Sequence, residues 1–140
     1  MEQQNEKCIM LLDESLPVGL IANTAAILGI TIGRERPDVV GADVTDAGGY
    51  QHLGITKVPI PILKGNRETL RILHRRLCSE EYTGLTVVDF TDLAQGCNSY
   101  DQFTEQLAER PEETLSYLGI AICGDKKKIN RLTGSLPLLR

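Results

Sequence analysis

The chain has 140 residues, and its 15 Lys and Arg against 19 Asp and Glu give a formal net charge of −4. That length predicts a single domain, residues 1–140, burying roughly two thirds of the unfolded chain's surface. The acidic balance argues against a general nucleic-acid binder, because neutralising phosphates requires clustered Lys and Arg, although a local basic patch remains compatible with it.

The N-terminal segment and the longest apolar-rich stretch predict a cytoplasmic protein. Residues 1–7 are too polar and acidic for a secretory signal. The apolar-rich stretch 16–32 is too interrupted by polar residues to span a membrane, so no membrane partner is predicted. The cysteines form no Cys-x-x-Cys pair and lie far from both histidines, so we predict no disulfide framework, no metal site and no cofactor. Cys8 and Cys123 lie in apolar segments and are expected to be buried free thiols.

The first third of the chain predicts a strand, a helix and a loop excursion. Residues 8–12 are a continuous apolar run, which suits a central strand covered on both faces. Apolar residues recur at helical spacing over 19–32, and because this helix carries almost no charge we expect it to be deeply buried. Residues 34–56 are rich in glycine and turn signals, which predicts a small β-hairpin or an ordered loop.

The rest of the chain alternates strands with helices. Residues 58–63 are predicted to form an edge strand, because Pro59 and Pro61 remove donors from one side only. Asn66 is a plausible N-cap for the helix that follows it. The remaining predicted elements are a helix over 66–77, a strand over 84–90, a helix over 101–110, a strand over 117–123 and a helix over 125–132. This order predicts an α/β fold, a three-layer α/β/α domain with a mixed, roughly four-stranded sheet.

Several long blocks of the chain resemble an uncharacterised bacterial family. The blocks are residues 7–26 (KCIMLLDESLPVGLIANTAA), 59–63, 117–121 and 132–139. On these blocks the chain is identified as a member of the domain of unknown function 2000 family, and the resemblance implies a peptidyl-tRNA hydrolase II-like fold. A homodimer is expected by the same resemblance, because the related hydrolases are often dimers.

The residues that give such a fold its hydrolase activity are largely replaced here. Matched onto this chain, the hydrolase lysine positions fall at Ser15, Val18 and Leu20, whereas Gly19 keeps its glycine. The hydrolase aspartate matches Asp92, the candidate catalytic residue, but the motif after it is not reproduced. A carboxylate alone can act as a base, yet the developing oxyanion would lack its lysine. These substitutions argue against ester hydrolysis by the hydrolase mechanism.

Polar residues after the predicted strands give a candidate ligand cleft, because ligands of open α/β sheets usually bind at the carboxyl ends of strands. The predicted cleft residues are Asp13, Ser15, Gly19, Asn23, Thr24 and Thr91. The competing interpretation is that Asp13 and Asp92 accept hydrogen bonds from the backbone of the following helices. Thr24 can likewise bond back within its own helix.

Two basic clusters give a candidate RNA surface. They comprise Arg67 and Arg71 on one predicted helix and Lys126, Lys127 and Lys128 on another. Together they suit a phosphate backbone such as tRNA, or an acidic partner. Taken separately, each cluster also fits a solvated helix face.

Three functional hypotheses follow. The first is a binding domain for a small molecule in the cleft. The second is a divergent hydrolase of acyl ester or amide bonds such as peptidyl-tRNA, with Asp92 as base and Thr24 or Asn23 orienting the substrate. The third is an RNA-binding or protein-interaction module that uses the two basic clusters.

Overall fold

The computed structural model describes residues 5–140 and shows a mixed α/β architecture. The strands are β1 (Glu6–Asp13), β2 (Val44–Thr45), β3 (Gln51–His52), β4 (Ile62–Gly65), β5 (Thr86–Thr91) and β6 (Tyr117–Asp125). The α-helices are α1 (Val18–Glu35), α2 (Arg67–Leu77), α3 (Asp92–Gly96), α4 (Tyr100–Ala108) and α5 (Lys126–Thr133). Short 3₁₀ turns lie at Pro37–Val39, Glu80–Tyr82 and Glu112–Thr114.

Four strands form the main sheet in the order β4-β1-β6-β5. β1 is parallel to β4 and antiparallel to β6, and β5 is also antiparallel to β6. As a result β1, β4 and β5 all end at one edge of the sheet, where β6 begins. We call this the carboxyl edge. The apolar runs of β1 and β6 occupy the two central positions, which confirms the prediction of a central strand over 8–12.

Helices cover both faces of the sheet. One core cluster joins α1 to its face, with Met10, Leu12, Leu28, Ala121 and Cys123 among its buried members. The other joins α2 and α5 to the opposite face, with Ile9, Leu11, Leu70, Ile122 and Ile129 among its buried members. Alternate residues of each central strand therefore enter alternate cores, as the period of two in a strand requires.

A bulge in β6 changes which residues face α1. Phe90 pairs with Gly119 and Thr91 pairs with Tyr117, so Leu118 is an extra residue in β6. Tyr117 consequently packs in the α2-side core, and Leu118 packs in the α1-side core.

Helix α1 is less buried than its uncharged sequence suggests. Thr24, Leu28 and Ile32 are its buried residues, whereas Val18 and Ile30 are 83% and 76% exposed. The prediction of deep burial was therefore wrong, because a helix that lies on the outer face of a single sheet can bury only one stripe. The helix also extends to Glu35, three residues beyond the predicted end.

The structure confirms that β4 lies at an edge but moves its start to Ile62, after both prolines. Pro61 still contributes a carbonyl, which accepts a hydrogen bond from the Met10 N–H at 3.1 Å. The outer side of β4 meets the C-terminal tail, since the Leu139 N–H donates to the Ile62 carbonyl at 2.8 Å. This contact covers an edge that would otherwise present unpaired backbone groups.

The predicted hairpin and helix cap are also confirmed. β2 and β3 pair antiparallel within the 34–56 excursion. The Asn66 side chain caps α2 by accepting a hydrogen bond from the Thr69 N–H at 2.8 Å.

Gly119 is a position where the packing of α1 on the sheet has no room for a side chain. A Cβ there would lie 2.7 Å from Leu12 Cδ2 and from Thr24 Cγ2. We expect Gly119→Ala to lower the free energy of unfolding by about 1–3 kcal/mol, as overpacked core substitutions do. Urea denaturation measures the change. Gly84→Ala is the matched control, because a Cβ at Gly84 meets nothing within 4 Å, and equal midpoints for both variants would contradict the prediction.

Candidate functional site

Asp13 and Ser15 lie together at the carboxyl edge but bond to each other. Asp13 is buried, and its Oδ1 accepts hydrogen bonds from the Ser15 N–H at 2.9 Å and the Ser15 hydroxyl at 2.7 Å. These bonds hold the turn between β1 and α1. The geometry therefore favours the local backbone role for Asp13.

Thr91 and Asp92 have comparable local roles. Thr91 is the N-cap of α3, and its Oγ1 accepts a hydrogen bond from the Ala94 N–H at 3.2 Å. The Oδ1 of Asp92 accepts from the Leu93 N–H at 2.9 Å and from the Ser116 N–H at 3.1 Å. The Asp92 N–H in turn donates to the Ser116 carbonyl at 2.9 Å. Asp92 thus ties the start of α3 to the residue preceding β6.

The remaining predicted cleft residues, Gly19, Asn23 and Thr24, lie on α1 and do not face one common site. Thr24 is fully buried, and its hydroxyl donates to the Leu20 carbonyl within α1 at 2.7 Å. Gly19 and Asn23 are exposed. Asp13 and Asp92 follow strands that β6 separates, which sets the two strands roughly 10 Å apart. The six residues are therefore spread along the carboxyl edge and α1, and their joint role in binding stays a prediction.

A cavity lies elsewhere, between α1, β5 and the segment that runs from α3 into α4. We call it the α1–β5–α4 groove, and its volume is about 580 Å³. Its lining residues are Ile27, Thr31, Arg34, Val88, Asp89, Phe90, Ala94, Cys97, Asn98, Ser99, Tyr100 and Phe103. Ligand sites are commonly clefts of this size with an apolar lining and a few polar groups.

The groove has an apolar floor and a polar rim. Val88 and Phe90 face α1 from β5 and pack with its core cluster. Arg34, at the end of α1, is 75% exposed and pairs with the neighbouring Glu35 at 3.0 Å. An exposed pair of this kind is weak, so the guanidinium is available to an anionic group. On the opposite rim, Ser99 caps α4 by accepting a hydrogen bond from the Gln102 N–H at 3.1 Å.

A second cluster of ionisable groups lies on the α2 side, near the start of β6. The Tyr117 hydroxyl donates to Glu112 Oε1 at 2.7 Å, and the Tyr117 ring stacks on His74 with centroids 4.4 Å apart. Arg71 approaches the same carboxylate at 3.3 Å. Burial and the contact with Glu112 raise the pKa of Tyr117, and that hydrogen bond together with Arg71 lowers the pKa of Glu112. The surrounding side chains partly desolvate the nearby Asp89 carboxyl and raise its pKa. The cluster fastens the 3₁₀ turn at 112–114 to α2, beside a pocket of only about 130 Å³.

The two predicted basic clusters occur in the same layer of the molecule, because α2 and α5 cover the same face of the sheet. These two helices hold eight of the fifteen Lys and Arg of the chain and only one of its nineteen acidic residues, Glu68. Arg67, Lys126 and Lys127 are exposed. Arg71 is committed to Glu112 and also donates to the Leu115 carbonyl, so it is less available to a ligand.

Residues 5–140 contain no group of three or more His, Cys, Asp or Glu side chains placed to hold a metal ion. In the same part of the chain, no helix has the length and apolar character needed to cross a membrane.

The comparisons with known proteins agree with this architecture. The family described as "Protein of unknown function (DUF2000)" matches residues 6–140, and the chain belongs to that family. Its fold is similar to the solved structure of a protein of unknown function from Agrobacterium tumefaciens str. C58. The TM-score is 0.87 at 19% sequence identity, with 97% of this chain and 98% of that chain covered. No curated protein matches the chain.

The sequence did not predict the α1–β5–α4 groove. Its lining comes from two stretches that are far apart in sequence, residues 27–34 and 88–103. Most of the lining residues are aliphatic, aromatic or small, and they form no chemical motif. The one local signal was Ser99, a favourable helix N-cap residue immediately before α4.

The structural role of Asp92, as acceptor for two backbone N–H groups, can be tested by substitution. We expect Asp92→Ala to lower the free energy of unfolding by about 1–2 kcal/mol, because two N–H groups lose their acceptor. Asp92→Asn keeps an Oδ1 acceptor and should restore most of that loss. Urea denaturation of the two variants beside the unsubstituted protein measures the difference. Equal stability of all three proteins would contradict a structural role for this side chain.

Proposed function

We propose that the protein is a small-ligand-binding domain with a peptidyl-tRNA hydrolase II-like fold, and that its ligand binds in the α1–β5–α4 groove. The observation that carries the proposal is the groove itself, about 580 Å³ with an apolar floor and a polar rim. The predicted cleft residues at the carboxyl edge support it less well, because Asp13, Thr24 and Thr91 make hydrogen bonds within the protein. A cytoplasmic location and a homodimer remain predictions from the sequence.

The lining defines the chemistry of the ligand. Ile27, Val88 and Phe103 suit an aromatic or branched aliphatic body. Arg34 at one end suits a carboxylate or another anionic group, with which a guanidinium forms strong hydrogen bonds. Small aromatic or aliphatic acids are therefore the class of ligand that the groove fits best.

The divergent hydrolase remains the alternative, acting on acyl esters or amides with Asp92 as base. Among the described residues, the hydrogen bonds of the Asp92 carboxylate come from the backbone of Leu93 and Ser116, and none comes from a Lys or Arg. Acting as a base would protonate a carboxylate that now holds two backbone N–H groups, and protonation weakens those structural hydrogen bonds. The binding function requires no such change, and for that reason it is the one we favour.

Titration of ¹⁵N-labelled protein with 2-naphthoate tests the groove. We expect the amide shifts to move for Thr31, Val88 and Phe103 and to stay unchanged along α2 and α5. Thr31→Tyr should weaken binding by about tenfold by filling the groove. Ile30→Tyr is the matched control, because Ile30 directly precedes Thr31 in α1 and its side chain is exposed. Shifts confined to another surface, or equal affinity for both variants, would overturn the proposal.

A second candidate function, binding of RNA or a similar polyanion, is favoured by one observation. The layer formed by α2 and α5 is strongly basic within an acidic chain. Its exposed cations are Arg67, Arg75, Arg76, Lys126, Lys127 and Arg131. Such a segregated surface can attract a phosphate backbone even where the net charge of the protein is negative.

Fluorescence anisotropy with labelled tRNA tests this second candidate. We expect Lys127→Glu to weaken binding by about five- to tenfold, and raising the salt from about 50 to 200 mM to weaken it further. Lys57→Glu makes the same change of charge outside the α2–α5 layer and should have little effect. Equal losses for both variants, or binding that is insensitive to salt, would exclude this surface.

A further inference from the structure

Cys8 and Cys123 face each other across the two central strands. They are direct partners in the antiparallel register of β1 and β6, and both are buried on the α1 side of the sheet. Each lies two residues from the end of its strand, where Glu6 pairs with Asp125.

The hydrogen-bond pattern shows which kind of cross-strand pair the two cysteines form. The N–H groups of Met10 and Glu14 donate to the carbonyls of Pro61 and Gly65, so even-numbered residues of β1 direct their backbone groups towards β4. Odd-numbered residues consequently direct theirs towards β6, and Cys8–Cys123 is a non-hydrogen-bonded pair.

This type of pair brings side chains closest together. The Cα atoms of a non-hydrogen-bonded antiparallel pair are about 4.5 Å apart, which lies within the roughly 4.4–6.8 Å range found for disulfides. The sulfur atoms therefore need only a change of side-chain rotamer to bond, with little movement of the strands.

Arg36 contacts only one of the two sulfur atoms, that of Cys123, so the two thiols differ in acidity. Its Nη1 lies 3.7 Å from Cys123 Sγ, while Nη2 pairs with Glu6 at 2.8 Å and Asp38 at 2.7 Å. The interaction with Cys8 and then the charge of Arg36 lower the pKa of Cys123. The same pairing, together with burial, raises the pKa of Cys8. Because the guanidinium contacts the sulfur of Cys123, we assign Cys123 as the thiolate and Cys8 as the resolving thiol.

We propose that Cys8 and Cys123 are a peroxide-sensitive dithiol that closes to a reversible disulfide. The Cys123 thiolate attacks one oxygen of hydrogen peroxide, the O–O bond breaks, and the departing hydroxide takes up a proton to become water. The sulfur of Cys8 then attacks the Cys123 sulfenic acid, so that the S–S bond forms and the S–O bond breaks. The hydroxyl leaves as a second water with the Cys8 proton. Two electrons pass from the thiols to the peroxide, and an added dithiol reductant reverses the change.

The remaining two cysteines are placed differently. Cys78 is exposed, and Cys97 is partly exposed with its sulfur 3.9 Å from Gln106 Oε1. Replacing both by serine leaves the Cys8–Cys123 pair as the only thiols, and this double variant is the protein to test.

The test treats the double variant with hydrogen peroxide and follows it by intact mass and peptide mapping. We expect loss of two hydrogen masses, a crosslinked peptide joining Cys8 to Cys123, and a melting temperature raised by at least about 8 °C, because the bridge closes a long loop. Cys8→Ala in the same background should instead accumulate a sulfenic acid on Cys123, which dimedone traps. Arg36→Gln should slow closure by about tenfold or more.

Three results would overturn the proposal. The first is two free thiols after treatment with peroxide. The second is a disulfide that joins two molecules. The third is dimedone on Cys8 of a Cys123→Ala variant at the rate seen for Cys123. Peptide mapping of the unsubstituted protein gives the same answer without any substitution, so the outcome does not depend on a variant that fails to fold.

Discussion

The antiparallel pairing of β1 with β6 joins the two ends of the chain, and the remaining layers pack on it. Residues 8–12 of β1 and 117–123 of β6 are apolar and buried on both faces, so neither strand can lie at an edge without exposing Ile and Leu side chains. Once these strands occupy the centre, β4 and β5 must lie outside them. The alternation of side chains then supplies one apolar face to α1 and another to α2 and α5.

The same pairing decides how closely α1 approaches the sheet. Gly119 lies where a side chain would collide with Leu12 and Thr24, and the bulge at Leu118 sets which residues of β6 turn towards the helix. Helix α1 packs on the sheet through one side only, and its opposite side is exposed to solvent. On the side towards β5, the helix forms one wall of the groove together with Val88 and Phe90. The cavity is thus a product of the way α1 and α4 flank an edge strand.

Polar residues at the carboxyl edge maintain the structure rather than present free groups. Asp13 holds the turn after β1, Thr91 caps α3, and Asp92 connects α3 to the start of β6. Burial makes such bonds valuable, because a buried donor without a partner loses its contact with water. Groups suited to an external ligand lie instead at positions such as Arg34, where the charge is exposed and its pairing is weak.

Much of the fold followed from the sequence, because hydrophobic periodicity and capping residues act locally. The apolar run in β1, the helix that follows Asn66 and its Asn66 cap all lie where the pattern predicted them. The exposure of Val18 and Ile30, the start of β4 after Pro61 and the bulge at Leu118 did not follow, since each depends on a neighbour distant in sequence. The sequence by itself determined the α/β class, the central strands and the family. Only the tertiary structure decided that Cys8 meets Cys123 and that α1, β5 and α4 enclose a groove, because long-range contacts arise from strand order and register, which no local pattern encodes.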